Sequence, residues 1–356
     1  MNFKEISIFR FRSIKEISIS DLKQVNLFVG KNNCGKTSIL ESLFIITGIS
    51  NPKIPITLNQ FRDIEYILGD DKDYKLIFNQ LDYQKGIKIE AIIGEQKREL
   101  EIKPHFQTGE GKRTSTLDEN SFKKPDYDSL SETSNISGLD YSFKIDEKSY
   151  KTAIYRKGLL YEQLEPKNYK ETIVGTYVYP KSILQLLPNR LNNLIVRKKI
   201  SGIIKILQKV DKNIVSVSIG TDKLIYFDTG LPELVPINVM GDGIRRLLSI
   251  IVTIANQKNG FVFIDEIENG FHHKTLKILW QAIFDTAREY NVQIFATTHS
   301  YECIKSFQEA YTYNKHIDDK DEIKLFRFEN KQEKHIAHSF SYKELEDLLT
   351  ENWEMR

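Results

Sequence analysis

Cysteine appears twice in the 356 residues, at Cys34 and Cys303. The two lie far apart with no partner spacing around them, which excludes a disulfide framework and a structural zinc site and points to a reducing compartment. Long apolar runs are missing too. The best, Leu247 to Ala255, is about half of what a bilayer span needs. The N-terminal "MNFKEISIFRFRSIKEISI" alternates charge with apolar residues, where a signal peptide has an unbroken apolar core. A cytoplasmic protein with no membrane partner is expected. An excess of either charge is also lacking, since 51 Lys and Arg stand against 49 Asp and Glu for a net +2. That balance implies no general attraction to nucleic acid, although a local basic patch is compatible with it. No internal repeat or sustained heptad is visible. With 40% hydrophobic and 28% charged residues, the chain reads as an ordinary globular protein of one large domain or two modest ones.

What is present begins with "NLFVGKNNCGKTSILESL", residues 26 to 43. It contains a phosphate-binding loop in the form G-K-N-N-C-G-K-T between a short apolar run and a helix-forming run. An apolar strand, Val25 to Val29, delivers the chain to a turn whose backbone N–H groups converge on a β-phosphate, and a helix from Lys36 adds the positive end of its dipole. The candidate nucleotide-binding positions are Gly30, Lys31, Asn32, Asn33, Cys34, Gly35, Lys36, Thr37 and Ser38. Lys36 is expected to neutralise β- and γ-phosphate charge, and the Thr37 hydroxyl to ligate Mg²⁺. Asn33 stands where such loops often carry a third glycine, and Asn tolerates positive φ best among the other residues. Cys34 is read as a small residue in a serine-like position. Redox regulation through its thiolate is the minority reading.

The first 48 residues read as strand, strand, loop, helix. Hairpins are expected at Ile87 to Lys103 with a Gly94-Glu95-Gln96 turn, at Tyr141 to Arg156, and at Ile214 to Phe227 with a Gly220-Thr221-Asp222 turn. Between the first two lies "HFQTGEGKRTSTLDENSFKKPDYDSLSETSNISG", residues 105 to 138. It is polar and rich in turn residues, so a mobile insertion is expected. Lys181 to Val210 has near-helical apolar spacing. Its basic cluster, Arg197-Lys198-Lys199, is read as a solvated face ahead of a phosphate contact. An apolar strand is expected at Pro236 to Val239, and from there the chain alternates as a parallel sheet with crossover helices does.

A second motif is "FVFIDEIEN", residues 261 to 269. Four apolar residues make a buried strand, and the acidic pair falls at its C-terminal edge, where open parallel sheets bind ligands. Asp265 is the expected Mg²⁺ residue and Glu266 the carboxylate that polarises an attacking water. About thirty residues on, Val292 to Thr297 reads as a second buried strand ending in Thr298-His299-Ser300. His299 is placed to contact a γ-phosphate.

Together, the Arg10-Phe11-Arg12-Ser13 hairpin, "GKNNCGKTSILES", a long insertion, "GDGIRRLL", "FIDEIENGFH" and "ATTHS" resemble the ABC-class P-loop ATPases. Within them the chain is similar to OLD-like and RecF/SMC-like heads, and to the small AAA-type ATP-binding proteins of bacterial phage-defence and abortive-infection operons. The resemblance covers about residues 1 to 48 and 235 to 305. It implies an α/β fold: an ABC-type P-loop NTPase head with a mixed sheet and flanking helices, formed by 1–50 and 235–356, and an inserted β-rich and helical arm, 51–234. It also implies ATP and Mg²⁺ as cofactors and a head-to-head homodimer in which a signature segment caps the γ-phosphate held by the other subunit. Gly241, Asp242 and Gly243 match that segment, with a helix opening at Ile244 and Asp242 read as its N-cap. Glu268-Asn269-Gly270 matches a dimer-contact loop, and Gln60 or Gln80 supplies the Q-loop glutamine. About fifty residues follow His299, too few for the nuclease domain of OLD-type proteins. An antiviral sensor or scaffold ATPase working with a separately encoded effector is therefore expected. A RecF-like DNA-repair clamp is the alternative, with DNA as partner. A transporter ATPase subunit fits less well.

Overall fold

The computed structural model describes residues 1–62, 64, 72–106, 136–157, 160–182, 186–313, 321–331 and 334–350. Most of the insertion expected at 105–138, namely 107–135, lies outside the described residues. Its edges, 105–106 and 136–138, belong to strands.

β1 (Phe3–Phe11) and β2 (Ile14–Ser20) form the N-terminal hairpin. β3 (Val25–Val29) leads through the glycine loop into α1 (Lys36–Thr47), followed by α2 (Ile54–Phe61) and α3 (Lys72–Lys75). A meander follows, of β4 (Ile87–Ile93), β5 (Gln96–Phe106), β6 (Ile136–Ile145), β7 (Lys148–Lys157) and β8 (Leu160–Leu164). The expected hairpins at 87–103 and 141–156 are part of it. Because β4 also pairs with β1, these strands join the N-terminal hairpin in one antiparallel sheet, ordered β2-β1-β4-β5-β6-β7-β8. Strands from both sides of residue 50 thus share one hydrogen-bonded sheet.

β9 (Gly175–Val178), a strand that the pattern does not predict, returns the chain to the phosphate-loop sheet. Four residues give alternation too little length to register. The helix expected over 181–210 is two helices, α4 (Leu187–Val196) and α5 (Ile200–Gln208). The break is the basic cluster, where Lys198 has φ 57 and all three side chains are exposed. β10 (Ser216–Ile219), β11 (Ile225–Asp228) and β12 (Val235–Pro236) make a small third sheet. The strand expected at 236–239 is instead the end of β12 and a 3₁₀ turn, Ile237–Val239. α6 (Asp242–Asn256), β13 (Phe261–Ile264), α7 (His273–Tyr290), β14 (Gln293–Thr297), α8 (Tyr301–Tyr313), β15 (Ile323–Lys331), β16 (Lys334–Phe340) and α9 (Tyr342–Thr350) complete the chain.

The phosphate-loop sheet is ordered β16-β15-β3-β14-β13-β9 and is parallel except for the β15–β16 hairpin at one edge. Its central strands are buried on both faces, and period-2 alternation divides them by chemistry. Val25, Leu27, Val29, Val262, Ile264, Ile294 and Ala296 face a core shared with α4 to α9. Phe28, Phe261, Phe263, Phe295, Phe326 and Phe328 face the other core, which holds α1 and the antiparallel sheet. Edge-to-face pairs such as Phe28–Phe328, with centroids 5.3 Å apart, give that layer its packing. α1 lies between the two sheets, so nearly all of it is buried, Glu41 included. Among the described residues no helix is long and apolar enough to cross a membrane.

Candidate functional site

The phosphate loop has the backbone that its sequence demands. Gly30 has φ 140, and a Cβ there would stand 2.5 Å from the Phe328 carbonyl oxygen and 2.8 Å from Cys34 Sγ. Gly35 has φ 96 and Asn33 φ 62, the left-handed region expected of Asn33. Lys36 Nζ donates to the carbonyls of Gly30 at 2.8 Å and Lys31 at 3.1 Å, which holds its ammonium across the loop. Cys34 is buried, and burial pushes its thiol up despite nearby Lys36, so the thiolate that redox regulation needs is disfavoured.

Across the sheet, β13 ends at Ile264 and Asp265 follows at its C-terminal edge. Thr37 Oγ1 donates to Asp265 Oδ1 at 3.2 Å, and Thr297 Oγ1 donates to the same oxygen at 2.6 Å. Burial pushes this carboxyl up, the two hydroxyls act against that, and the neighbouring Glu41 and Glu266 add to it. Glu266 sits in the left-handed region at φ 49. Its N–H donates to Thr297 Oγ1 at 2.9 Å, its Oε2 accepts from Asn269 Nδ2 at 2.5 Å, and its carbonyl accepts from Arg246 Nη2 at 2.6 Å. His299 is 54% exposed; its N–H donates to Glu268 Oε1 at 2.9 Å, and its Nδ1 lies 3.1 Å from that oxygen.

These groups line one cavity of about 870 Å³, a volume that would admit a nucleoside triphosphate. Asn32 to Ser38, Asp265, Glu266 and His299 all open onto it, with Thr297, Arg12 and Arg62. Gln80 lines it as well, whereas Gln60 is exposed on α2 and does not. Gly30 lies behind the loop against Phe328, and Lys31 lines a second cavity with Arg327 and Lys331. Gly241, Asp242 and Gly243 are not brought into this cavity; Gly243 packs beside Gly270 and Phe271. The reading of Asp242 as an N-cap is corrected. α6 starts at Asp242 itself, Gly241 occupies the cap position, and the Asp242 carboxylate pairs with Arg245 one turn on.

Sequence reasoning missed several contributors. Thr297 joins Asp265 to the Glu266 backbone. Glu41 receives Arg12 at 2.6 Å and Arg62 at 2.7 Å, which fixes two cations at the cavity wall. Arg10, grouped with Arg12 by the hairpin motif, instead donates to the Gly86 carbonyl. The signal for Glu41 was a lone carboxylate within "SILESLFII", an otherwise uncharged stretch of a helix that has to be buried. A loop of convergent amides with a lysine, a hydroxyl–carboxylate pair and a second carboxylate suit a polyphosphate with a divalent cation.

A family described as "AAA domain, putative AbiEii toxin, Type IV TA system" matches residues 25–304. The chain is 24% identical over 322 residues to a Helicobacter pylori protein named ATP/GTP phosphatase, covering 85% of this chain and 86% of that one. It is 32% identical over 106 residues to the DNA replication and repair protein RecF of Clostridium kluyveri, 26% of this chain and 28% of that protein. Among solved structures, an SMC head bound to the C-terminal winged-helix domain of ScpA matches with TM-score 0.52 at 12% identity, over 96% of this chain and 99% of the other.

Proposed function

The chain belongs to this AAA-domain family and has the fold of an ABC-type P-loop ATPase head, and on that premise we propose that it binds and hydrolyses ATP as a dimeric switch in bacterial antiviral defence. The observation that carries the reading is the convergence of Lys36, the Thr37–Asp265 pair and Glu266 on one cavity. In this reading Lys36 exchanges its loop carbonyls for phosphate oxygens while the loop amides and Ser38 hold the rest of the polyphosphate. Thr37 and Asp265 hold Mg²⁺, which neutralises charge on the phosphate oxygens. Glu266 orients and polarises the attacking water, and His299, steadied by Glu268, meets the γ-phosphate. Gly241 to Gly243 lie outside their own chain's cavity, which supports their serving a second copy at a helix N-terminus. The matched family description includes the words "putative AbiEii toxin, Type IV TA system". It supports a defence role with a separately encoded effector, for which 51–234 supplies the contact surface. The RecF similarity favours DNA as a second class of partner, and ATP-dependent DNA binding with a steep salt slope would be its mark.

Nucleotide affinity and single-turnover hydrolysis of two variants test the chemistry. Glu266→Gln should bind ATP and lose on the order of 10²-fold or more in turnover, the scale of a lost general base. Lys36→Ala should weaken binding itself. Normal hydrolysis by Glu266→Gln would remove that residue from its role.

A further inference from the structure

α6 runs from its glycine-rich start into a mostly apolar stretch, Ile244 to Ala255, that carries two adjacent arginines. Neighbours on a helix point about 100° apart, so a helix seated on a core turns one of them inward. Arg245 pairs outward with Asp242. Arg246 is 2% exposed, and its Nη2 donates to the carbonyls of Glu266 at 2.6 Å and Asp265 at 3.3 Å. Its Nε, buried, has no partner among the described residues. Burial holds this guanidinium below the usual arginine range, while Glu268, Glu266 and Asp265 work against that. A desolvated cation with an unmatched N–H costs stability, so its retention calls for another explanation.

The strain on the other side of the hydrogen bond supplies one. Glu266 holds φ 49 without being glycine, a conformation that persists only where its surroundings over-determine it. Four contacts do so: Thr297 on its N–H, the Asn269 side chain on its carboxylate, and on its carbonyl both Arg246 Nη2 at 2.6 Å and the Asn269 N–H at 3.1 Å. Of these, Arg246 alone comes from the helix whose N-terminus carries Gly241 and Gly243.

We propose that Arg246 is a positioning residue for hydrolysis: it fixes the Glu266 backbone so that the carboxylate faces the cavity, and it ties that aim to the seating of α6. A displacement of α6 when its glycines engage a phosphate is then passed through one hydrogen bond to the carboxylate of its own chain. This rests on the reading of Glu266 as the water-polarising group, and the experiment separates the two.

Full-length Arg246→Met, Arg246→Lys and Glu266→Gln proteins, with the Arg246→Met/Glu266→Gln double variant, are compared for ATP affinity and single-turnover hydrolysis with Mg²⁺. Arg246→Met should bind ATP within about 2-fold of wild type and turn over about 30-fold or more slowly. Arg246→Lys, with a single ammonium nitrogen in place of the planar fork, should recover part of that and remain about 10-fold below wild type. In the Glu266→Gln background, Arg246→Met should change the residual rate by less than about 3-fold, because no carboxylate is left to aim. Additive losses, or affinity falling in step with turnover, would make Arg246 a general packing residue and overturn the proposal. So would wild-type turnover in Arg246→Met beside an inactive Glu266→Gln. Full turnover in Glu266→Gln would instead remove the underlying reading. Should Arg246→Met not fold, Arg246→Lys decides: unchanged affinity with reduced turnover supports the role, and wild-type behaviour overturns it.

Discussion

Burial pushes the Asp265 carboxyl up from its ordinary range, and the Thr297 and Thr37 hydroxyls offset that only in part. A folded-state pKa raised above the unfolded value means that the folded, nucleotide-free protein carries a penalty for this charge. The penalty is absent below the ordinary aspartate range, grows as pH rises, and is complete once pH exceeds the raised value. Asp265→Asn keeps an acceptor for the two hydroxyls and removes the charge. At neutral pH it should therefore raise the melting temperature of the nucleotide-free protein by about 2 °C or more, with the difference shrinking through about pH 4 and vanishing below the ordinary aspartate range. The same variant should lose the extra stabilisation that Mg²⁺ with ATP gives the wild type. Thermal melts at several pH values, with and without the ligand pair, check both signs. A lower melting temperature at neutral pH would mean that the charge is compensated in the folded state. At this scale, the convergence of Lys36, Thr37, Asp265 and Glu266 on one cavity was legible because a local motif dictates the place of each of them. Thr297 and Glu41 were not: each lies inside a recognised stretch, "ATTHS" and "GKNNCGKTSILES", but at a position to which the motif assigns no chemistry, and each acquires its role from a partner brought close by folding, Thr297 from 32 positions away.

The antiparallel sheet is joined to the phosphate-loop sheet by an ion pair as well as by α1. Arg98 on β5, 1% exposed, donates from Nη1 to Glu171 Oε2 at 2.9 Å and from Nη2 to Oε1 at 3.1 Å. Tyr169 donates to the same carboxylate at 2.8 Å, just ahead of β9. Breaking a buried pair from one side leaves a desolvated cation alone, at a cost of about 3–5 kcal/mol. Glu171→Ala should lower unfolding free energy by that order in urea titrations, and Glu171→Gln, which keeps an acceptor, by less. A loss under about 1 kcal/mol would show that water reaches Arg98 once its partner is gone. Strands with sustained alternation, such as β4 and β5, were readable together with the glycine turn between them, where Gly94 has φ 63. The break between α4 and α5 was not. Apolar residues recur at helical spacing on both sides of Arg197 to Lys199, so periodicity runs through the point where Lys198 leaves helical φ. Pairing partners were hidden for a related reason: alternation says which side of β4 is buried and nothing about β1 as its neighbour.

In the whole molecule, the C-terminal edge of the parallel sheet gathers the loop, the carboxylates and His299, while the glycine-rich start of α6 opens elsewhere, beside Gly270 and Phe271. A helix N-terminus that lies away from its own chain's cavity can reach a γ-phosphate only if that phosphate is held by another copy. Two such contacts in a symmetric pair would bury two nucleotides, so on the proposed reading ATP should drive assembly, and slow hydrolysis should accumulate the dimer. Light scattering of Glu266→Gln is expected to give a monomer mass without nucleotide and twice that with ATP and Mg²⁺. Gly243→Arg is the matching disruption. A Cβ at Gly243 would stand 3.5 Å from the Gly270 carbonyl oxygen and 3.7 Å from Phe271 Cδ1, ordinary contact distances, so the folded chain accommodates a side chain there. The bulk and length of arginine then fall on whatever docks against the helix start. This variant should keep its ATP affinity, fail to double its mass, and lose about 10-fold or more in turnover, because the donors that complete the site no longer arrive. A mass that ignores ATP, together with full activity in Gly243→Arg, would mean that each chain builds its whole active site alone and that Gly241 to Gly243 serve α6 and nothing beyond it.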